Sequence, residues 1–197
     1  MATPTHPVLW LDGEPGSGKT TLARHLLGTT LGLVEKPKWT RAPHMVAAGH
    51  YTGAPFDGAD TVPYNGAADA LLYWKENLRS EFPVTLLDGD RFSNENTVKF
   101  FKELAAEGVP LRLAAAYVDV PAAVAAARRA ARSETVQNAA WVAGRATKAR
   151  RFFDSFVDAI TVDGTAGTEE AAAVIRSYLS RPPPPPPEVS GVLDMFG

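Results

Sequence analysis

Gly13-Glu14-Pro15-Gly16-Ser17-Gly18-Lys19-Thr20 constrains this chain more than any other stretch of its 197 residues. The run before it, Val8-Leu9-Trp10-Leu11, is short and unbrokenly apolar, as expected of a parallel strand buried on both faces. A helical pattern begins after it at Lys19, carries Leu22, Ala23, Leu26 and Leu27, and closes at Gly28. Glycines in a turn between strand and helix let backbone N–H groups point inward as an anion nest, and the helix N-terminus adds its dipole. The spacing matches G-x-x-x-x-G-K-[ST] in full and predicts a nucleoside triphosphate site. Residues Gly13 to Thr20, with Thr21 behind them, are expected to hold ATP. In that arrangement Lys19 reaches the β- and γ-phosphates and the Thr20 hydroxyl sits on Mg²⁺.

Other strands and helices follow in alternation. Val84 to Leu87, Leu111 to Val118 and Ala159 to Val162 read as buried strands. Helices are expected over Ala67 to Glu81, from an Asn94 cap to Gly108, from Pro121 to about Arg132, over Ala140 to Phe156, and from about Glu169 to Leu179. Glu35 to Gly66 reads as a long loop, rich in glycine and proline. Strand–helix alternation predicts an α/β, three-layer P-loop fold, with a parallel sheet of about five strands flanked by helices. This domain should cover residues 1–181. The proline run 182–187 then forms a stiff spacer, and residues 188–197 a short apolar peptide.

Chemistry-bearing residues gather at the expected strand ends. Asp88 closes the second buried strand, where a carboxylate can hold Mg²⁺ together with Thr20. Asp90 can orient or deprotonate an attacking hydroxyl, and Arg91 can clamp a phosphate; Asp88 and Asp90 both remain candidates for the base. Seven cations lie between positions 128 and 151, among them Arg128, Arg132, Arg145 and Lys148, with only Glu134 opposing them. They suit a mobile helical basic lid that neutralises charge on a phosphoryl group in transfer. In the long loop, His50, Tyr51, Phe56, Asp57 and Asp60 could wrap a base by stacking and hydrogen bonding, whereas Trp39 and Trp74 read as packing residues.

Composition removes several alternatives. The absence of cysteine excludes disulfides and thiolate metal sites, and no two of the four histidines have metalloprotease spacing. No apolar run approaches the ~20 residues of a membrane span, and no signal pattern opens the chain, so a soluble intracellular protein without a membrane partner is expected. A net charge of -2 excludes a globally basic nucleic-acid coat but permits a local basic patch.

Four segments carry a family resemblance: Asp12 to Thr20, Gly49-His50-Tyr51-Thr52-Gly53, Leu87-Asp88-Gly89-Asp90-Arg91-Phe92, and Trp141 to Lys148. Together they resemble bacteriophage P-loop kinases that act on 5-hydroxymethyluracil in DNA, which are similar in fold to thymidylate kinase. The resemblance spans roughly residues 8 to 165. It implies ATP- and Mg²⁺-dependent phosphorylation of the base's hydroxymethyl group, a step toward hypermodified thymidines, in the cytoplasm of an infected bacterial host. DNA containing that base is then the implied partner. The alternative is a small-molecule kinase for a nucleotide, nucleoside or antibiotic hydroxyl; an ATP-driven DNA-packaging factor ranks below both, because the chain lacks room for a motor's extra elements. Val192-Leu193-Asp194-Met195-Phe196 resembles the peptides by which replication proteins dock on a sliding clamp, with Val192 where glutamine is usual. That resemblance implies a clamp as a second partner.

Overall fold

The structure is a computed structural model that describes residues 5–54, 57–132 and 137–184. Phe56, part of the proline run and the peptide Val192–Phe196 lie outside the described residues. Strands β1 (His6–Asp12), β5 (Thr85–Asp88), β6 (Leu111–Asp119) and β7 (Ala159–Asp163) form where the apolar runs place them. Three further strands, β2 (Gly32–Val34), β3 (Trp39–Ala42) and β4 (Met45–Ala48), complete a seven-stranded sheet of order β2-β3-β4-β5-β1-β6-β7. From β4 to β7 all neighbours pair in parallel, whereas β2, β3 and β4 pair antiparallel as a meander.

The long-loop expectation for Glu35 to Gly66 is therefore corrected over its first part. Strands of three or four residues are too short to show a period, and the prolines and glycines between them hide the pairing. Their side chains are nonetheless core: Trp39, Val46, Ala47 and Ala48 are fully buried. The sheet is correspondingly mixed, with five parallel strands and an antiparallel edge.

Helices cover both faces. β1 alternates, sending Trp10 to one face and Leu9 and Leu11 to the other. Under Trp10 lie α2 (Ala67–Tyr73), α3 (Glu95–Ala106) and α5 (Ala139–Asp154), whose Leu71, Phe101 and Phe153 share its cluster. On the Leu9 side, α1 (Lys19–Leu27) and α6 (Thr168–Ser180) contribute Leu22, Leu26 and Ile175. Asn94 caps α3 by accepting from the Thr97 N–H at 3.0 Å, as its position predicts. The remaining helix, α4 (Ala122–Arg132), follows β6 directly. The segment after α2 stays helical but widens into a π turn, Trp74–Leu78, that keeps Trp74 and Leu78 both in the core. No helix among the described residues is long and apolar enough to cross a membrane.

One buried ion pair fastens the end of the domain. Arg112 of β6 donates through Nε to Asp158 Oδ2 at 2.7 Å and through Nη2 to Oδ1 at 3.2 Å. Its Nη1 also reaches the carbonyls of Leu179 (3.1 Å), in the last turn of α6, and Arg181 (2.7 Å), just beyond it. The Tyr178 hydroxyl donates to the same aspartate. Removing one partner of a buried pair strands the other charge away from water. Asp158→Ala is therefore expected to lower unfolding stability by about 3–5 kcal/mol, measured as a shift in urea midpoint at constant slope.

Candidate active site

The glycine-rich turn is shaped by what lies behind it. Gly16 adopts φ +90°, and a Cβ there would stand 2.5 Å from the Ala125 carbonyl oxygen, so the backbone passes hard against α4. Arg128 of α4 donates to the Ser17 carbonyl at 2.8 Å and to the Gly164 carbonyl at 2.9 Å, and Arg129 donates to the Pro15 carbonyl. The Ser17 N–H donates to the Glu14 carbonyl at 3.0 Å, so the turn is closed on itself as well as held from α4. Gly18 then opens α1 in a left-handed conformation, which sets Lys19, Thr20 and Thr21 in its first turn. Thr21 itself is exposed.

Asp88 stands across from that turn. It is 3% exposed, and its Oδ2 accepts from the Thr20 hydroxyl at 3.0 Å and from the Tyr51 hydroxyl at 3.4 Å. Its Oδ1 is buried without a partner. Burial pushes the carboxyl up to about 6, against the pull of Lys19 and Thr20. The same burial, beside Asp88, holds the Tyr51 hydroxyl protonated well above its usual range. An ionisable oxygen with no partner beside a threonine hydroxyl and an anion nest fits a divalent cation carried on a triphosphate. Among the described residues no cluster of three or more His, Cys, Asp or Glu could hold a metal unaided, so such an ion would draw its remaining ligands from phosphate and water.

Asp12, at the end of β1, was not singled out from sequence. It is 2% exposed; Oδ1 accepts from the Gly13 N–H at 2.9 Å, while Oδ2 has no partner. Burial raises its carboxyl too. Its signal was present, since the apolar run of β1 breaks on a carboxylate immediately before the glycine turn.

Beyond Asp88 the chain turns through Gly89, where a Cβ would lie 3.5 Å from Lys19 Cε, into Asp90 and Arg91. These two residues line a cavity of about 600 Å³. Arg145 and Lys148 of α5 close one side of it, and both pair with Asp90, Lys148 Nζ at 3.7 Å. The opposite wall is apolar, made by Leu71, Leu72 and Phe100. At the mouth the Arg91 guanidinium lies 4.5 Å from the ring centroid of Tyr64, which is 84% exposed. Tyr64, Leu71, Leu72 and Phe100 come from three separate segments, and no motif joins them in sequence.

The expected base-wrapping loop divides. Asp60 lines the cavity. His50 is buried and bonds the Val34 carbonyl through Nε2 at 2.8 Å, tying the loop to β2. Tyr51 points inward to Asp88. Asp57 accepts from the N–H groups of Thr52 (2.7 Å) and Gly53 (2.9 Å), with Arg24 Nε at 3.5 Å, so both its oxygens staple the loop itself. In this structure these three side chains bond within the protein and hold the loop against the sheet. The basic cluster also divides. Arg128 grips the glycine turn from behind, Arg132 is exposed at the end of α4, and Arg145 and Lys148 face the cavity.

Comparison with solved structures finds this fold in a sugar kinase from Janibacter sp. (TM-score 0.54, 16% identity, 89% of this chain and 95% of that one). It also finds a gluconokinase from Sinorhizobium meliloti (TM-score 0.50, 16% identity, 92% of this chain and 94% of that one). No protein-family model matches the chain, and no curated protein matches it. The chain shares its fold with these two kinases.

A raised carboxyl at Asp88 gives a pH signature. Its folded value lies above the unfolded 3.8, so ionisation disfavours the metal-free fold. Stability is full below about pH 4 for this group and declines as pH rises through about 6. Asp88→Asn is expected to raise metal-free stability at pH 8 by on the order of 3 kcal/mol, read from urea melts across pH. Mg²⁺-dependent binding of a fluorescent ATP analogue should weaken about tenfold per pH unit below about pH 6 in the parent chain, and should be lost at all pH values in Asp88→Asn.

Proposed function

We propose that this chain is an ATP-dependent phosphotransferase acting on a hydroxyl carried by a planar heterocycle, and specifically on the hydroxymethyl group of 5-hydroxymethyluracil in DNA. The observation that carries the reading is the cavity beside Asp90. An apolar wall of Leu71, Leu72 and Phe100, with Tyr64 and Arg91 stacked at its mouth, suits a flat ring more than a polyhydroxylated chain. The glycine turn supports the donor half. In the reaction the acceptor oxygen bonds to the γ-phosphorus while the β–γ bridging bond breaks, and ADP leaves.

Lys19 lies where it can neutralise charge on the transferring group, and Arg145 and Lys148 can do so from the other side. When bound, Mg²⁺ would be held by Thr20 and Asp88 and would supply further neutralisation of the phosphate oxygens. The acceptor's proton passes to a carboxylate, Asp88 or Asp90. Asp90 already faces two cations, so proton acceptance there requires Arg145 and Lys148 to move onto the phosphates, which is the lid role proposed for this part of α5. A base in duplex DNA reaches such a cavity only when flipped from the stack.

A second reading is a small-molecule kinase. It is favoured by the cavity's volume, about 600 Å³, which takes a free nucleoside or nucleotide whole. Labelled ATP offered with hydroxymethyluracil DNA or with the free nucleotide separates the two. Label on DNA, with unpaired sites reacting at least as well as paired ones, is the expected result; label on the free nucleotide alone refutes the DNA reading. Lys19→Ala should reduce transfer by about 10²–10³-fold with an unchanged melting temperature.

A further inference from the structure

A second and larger cavity among the described residues adjoins the one beside Asp90. It is a groove of about 1550 Å³ between α3 and α5, floored by Val98, Leu111, Leu113, Phe152 and Phe156. Lys99, Lys102 and Arg151 stand on its rim, and Pro183 and Pro184 form part of its wall. Arg112, by holding the Arg181 carbonyl at 2.7 Å, aims the chain into this groove at the end where β6 begins. At its other end the groove shares Asn94, Asn96 and Lys148 with the acceptor cavity.

We propose that residues 188–197 of this chain dock along the groove between α3 and α5 and reach the rim shared with the acceptor cavity. Three observations favour this occupant over others. The chain leaves the described region from the wall of the groove itself. The segment Glu188-Val189-Ser190-Gly191-Val192-Leu193-Asp194-Met195-Phe196-Gly197 has five large apolar residues for an apolar floor. Its charged side chains, Glu188 and Asp194, are negative, and the groove is lined by five cations, Lys99, Lys102, Arg112, Lys148 and Arg151, against the three carboxylates of Glu95, Glu103 and Asp158.

The reach is sufficient. α3 is 12 residues long, which is about 18 Å at ~1.5 Å per residue. Prolines 185–187 advance about 9 Å at ~3.1 Å each, and five further extended residues add about 16 Å. Extended, that is about 25 Å from Pro184 to Val192, more than the about 18 Å of α3, so the segment is long enough to traverse the groove and keeps Val192 to Phe196 inside it by bending.

Hydrogen exchange on the full chain and on a chain ending at Pro187 tests the docking without any need for catalysis. Amides of residues 95–106 and 147–156 are expected to exchange about tenfold faster in the shortened chain, at every protein concentration. The full-length Phe196→Asp chain should behave like the shortened one, and a synthetic peptide of residues 188–197 should restore protection to it. Equal exchange in full and shortened chains overturns the proposal. Protection that grows with protein concentration also overturns it, by showing docking on a second copy. If shortening speeds exchange throughout the sheet, the Phe196→Asp chain decides: unchanged protection in the groove overturns the proposal and leaves the peptide available to a sliding clamp.

Discussion

An ionisable carboxyl buried without a full set of partners is unfavourable wherever it occurs, and the end of β5 carries one in Asp88. Much of the surrounding architecture responds to it. Thr20 from α1 and Tyr51 from the loop after β4 both donate to Oδ2, and Lys19 leans on the carboxyl from the glycine turn. Tyr51 is itself fixed through its N–H to Thr40 of β3, so the antiparallel edge of the sheet serves the centre of the site. His50 and Asp57 hold the remainder of that loop in place. The meander is thus less an ornament on a parallel sheet than the support for one oxygen atom.

The cations divide the labour between the two halves of the site. Those on α4 grip carbonyl oxygens behind the glycine turn, which holds the turn in shape from behind. Those on α5 are held by Asp90 and so are kept near the acceptor cavity without being buried by it. Charge-assisted hydrogen bonds to backbone carbonyls are directional and orient a turn, whereas the pairs with Asp90 can exchange for phosphate. The same residue type therefore serves rigidity in one helix and responsiveness in the other.

What could be read from sequence follows from how local each signal is. β1, β5 and β6 show as apolar runs because both of their faces are largely buried, β7 at the sheet edge shows more weakly with only Val162 buried, and the Asn94 cap shows because it acts three residues away. The glycine turn and Asp88 are legible for the same reason, each being defined by its neighbours in the chain. β2 to β4 are not, since Trp39 and Val46 are core residues set in segments too short for any period to emerge. The acceptor cavity is illegible in a deeper sense. Tyr64, Leu71, Phe100 and Lys148 meet only after three helices pack, and in isolation each resembles an ordinary surface or core residue. The inward bonds of His50, Tyr51 and Asp57 are equally illegible, since their types suit ligand contact and loop anchoring alike.

The unpartnered oxygen of Asp88 has a consequence for the life of the protein as well as for its chemistry. A ligand that satisfies this group binds the folded chain and not the unfolded one, so it adds to stability in proportion to its occupancy. At a hundred times its dissociation constant a nucleotide contributes about 2.7 kcal/mol, which is a large share of what typically separates folded from unfolded populations.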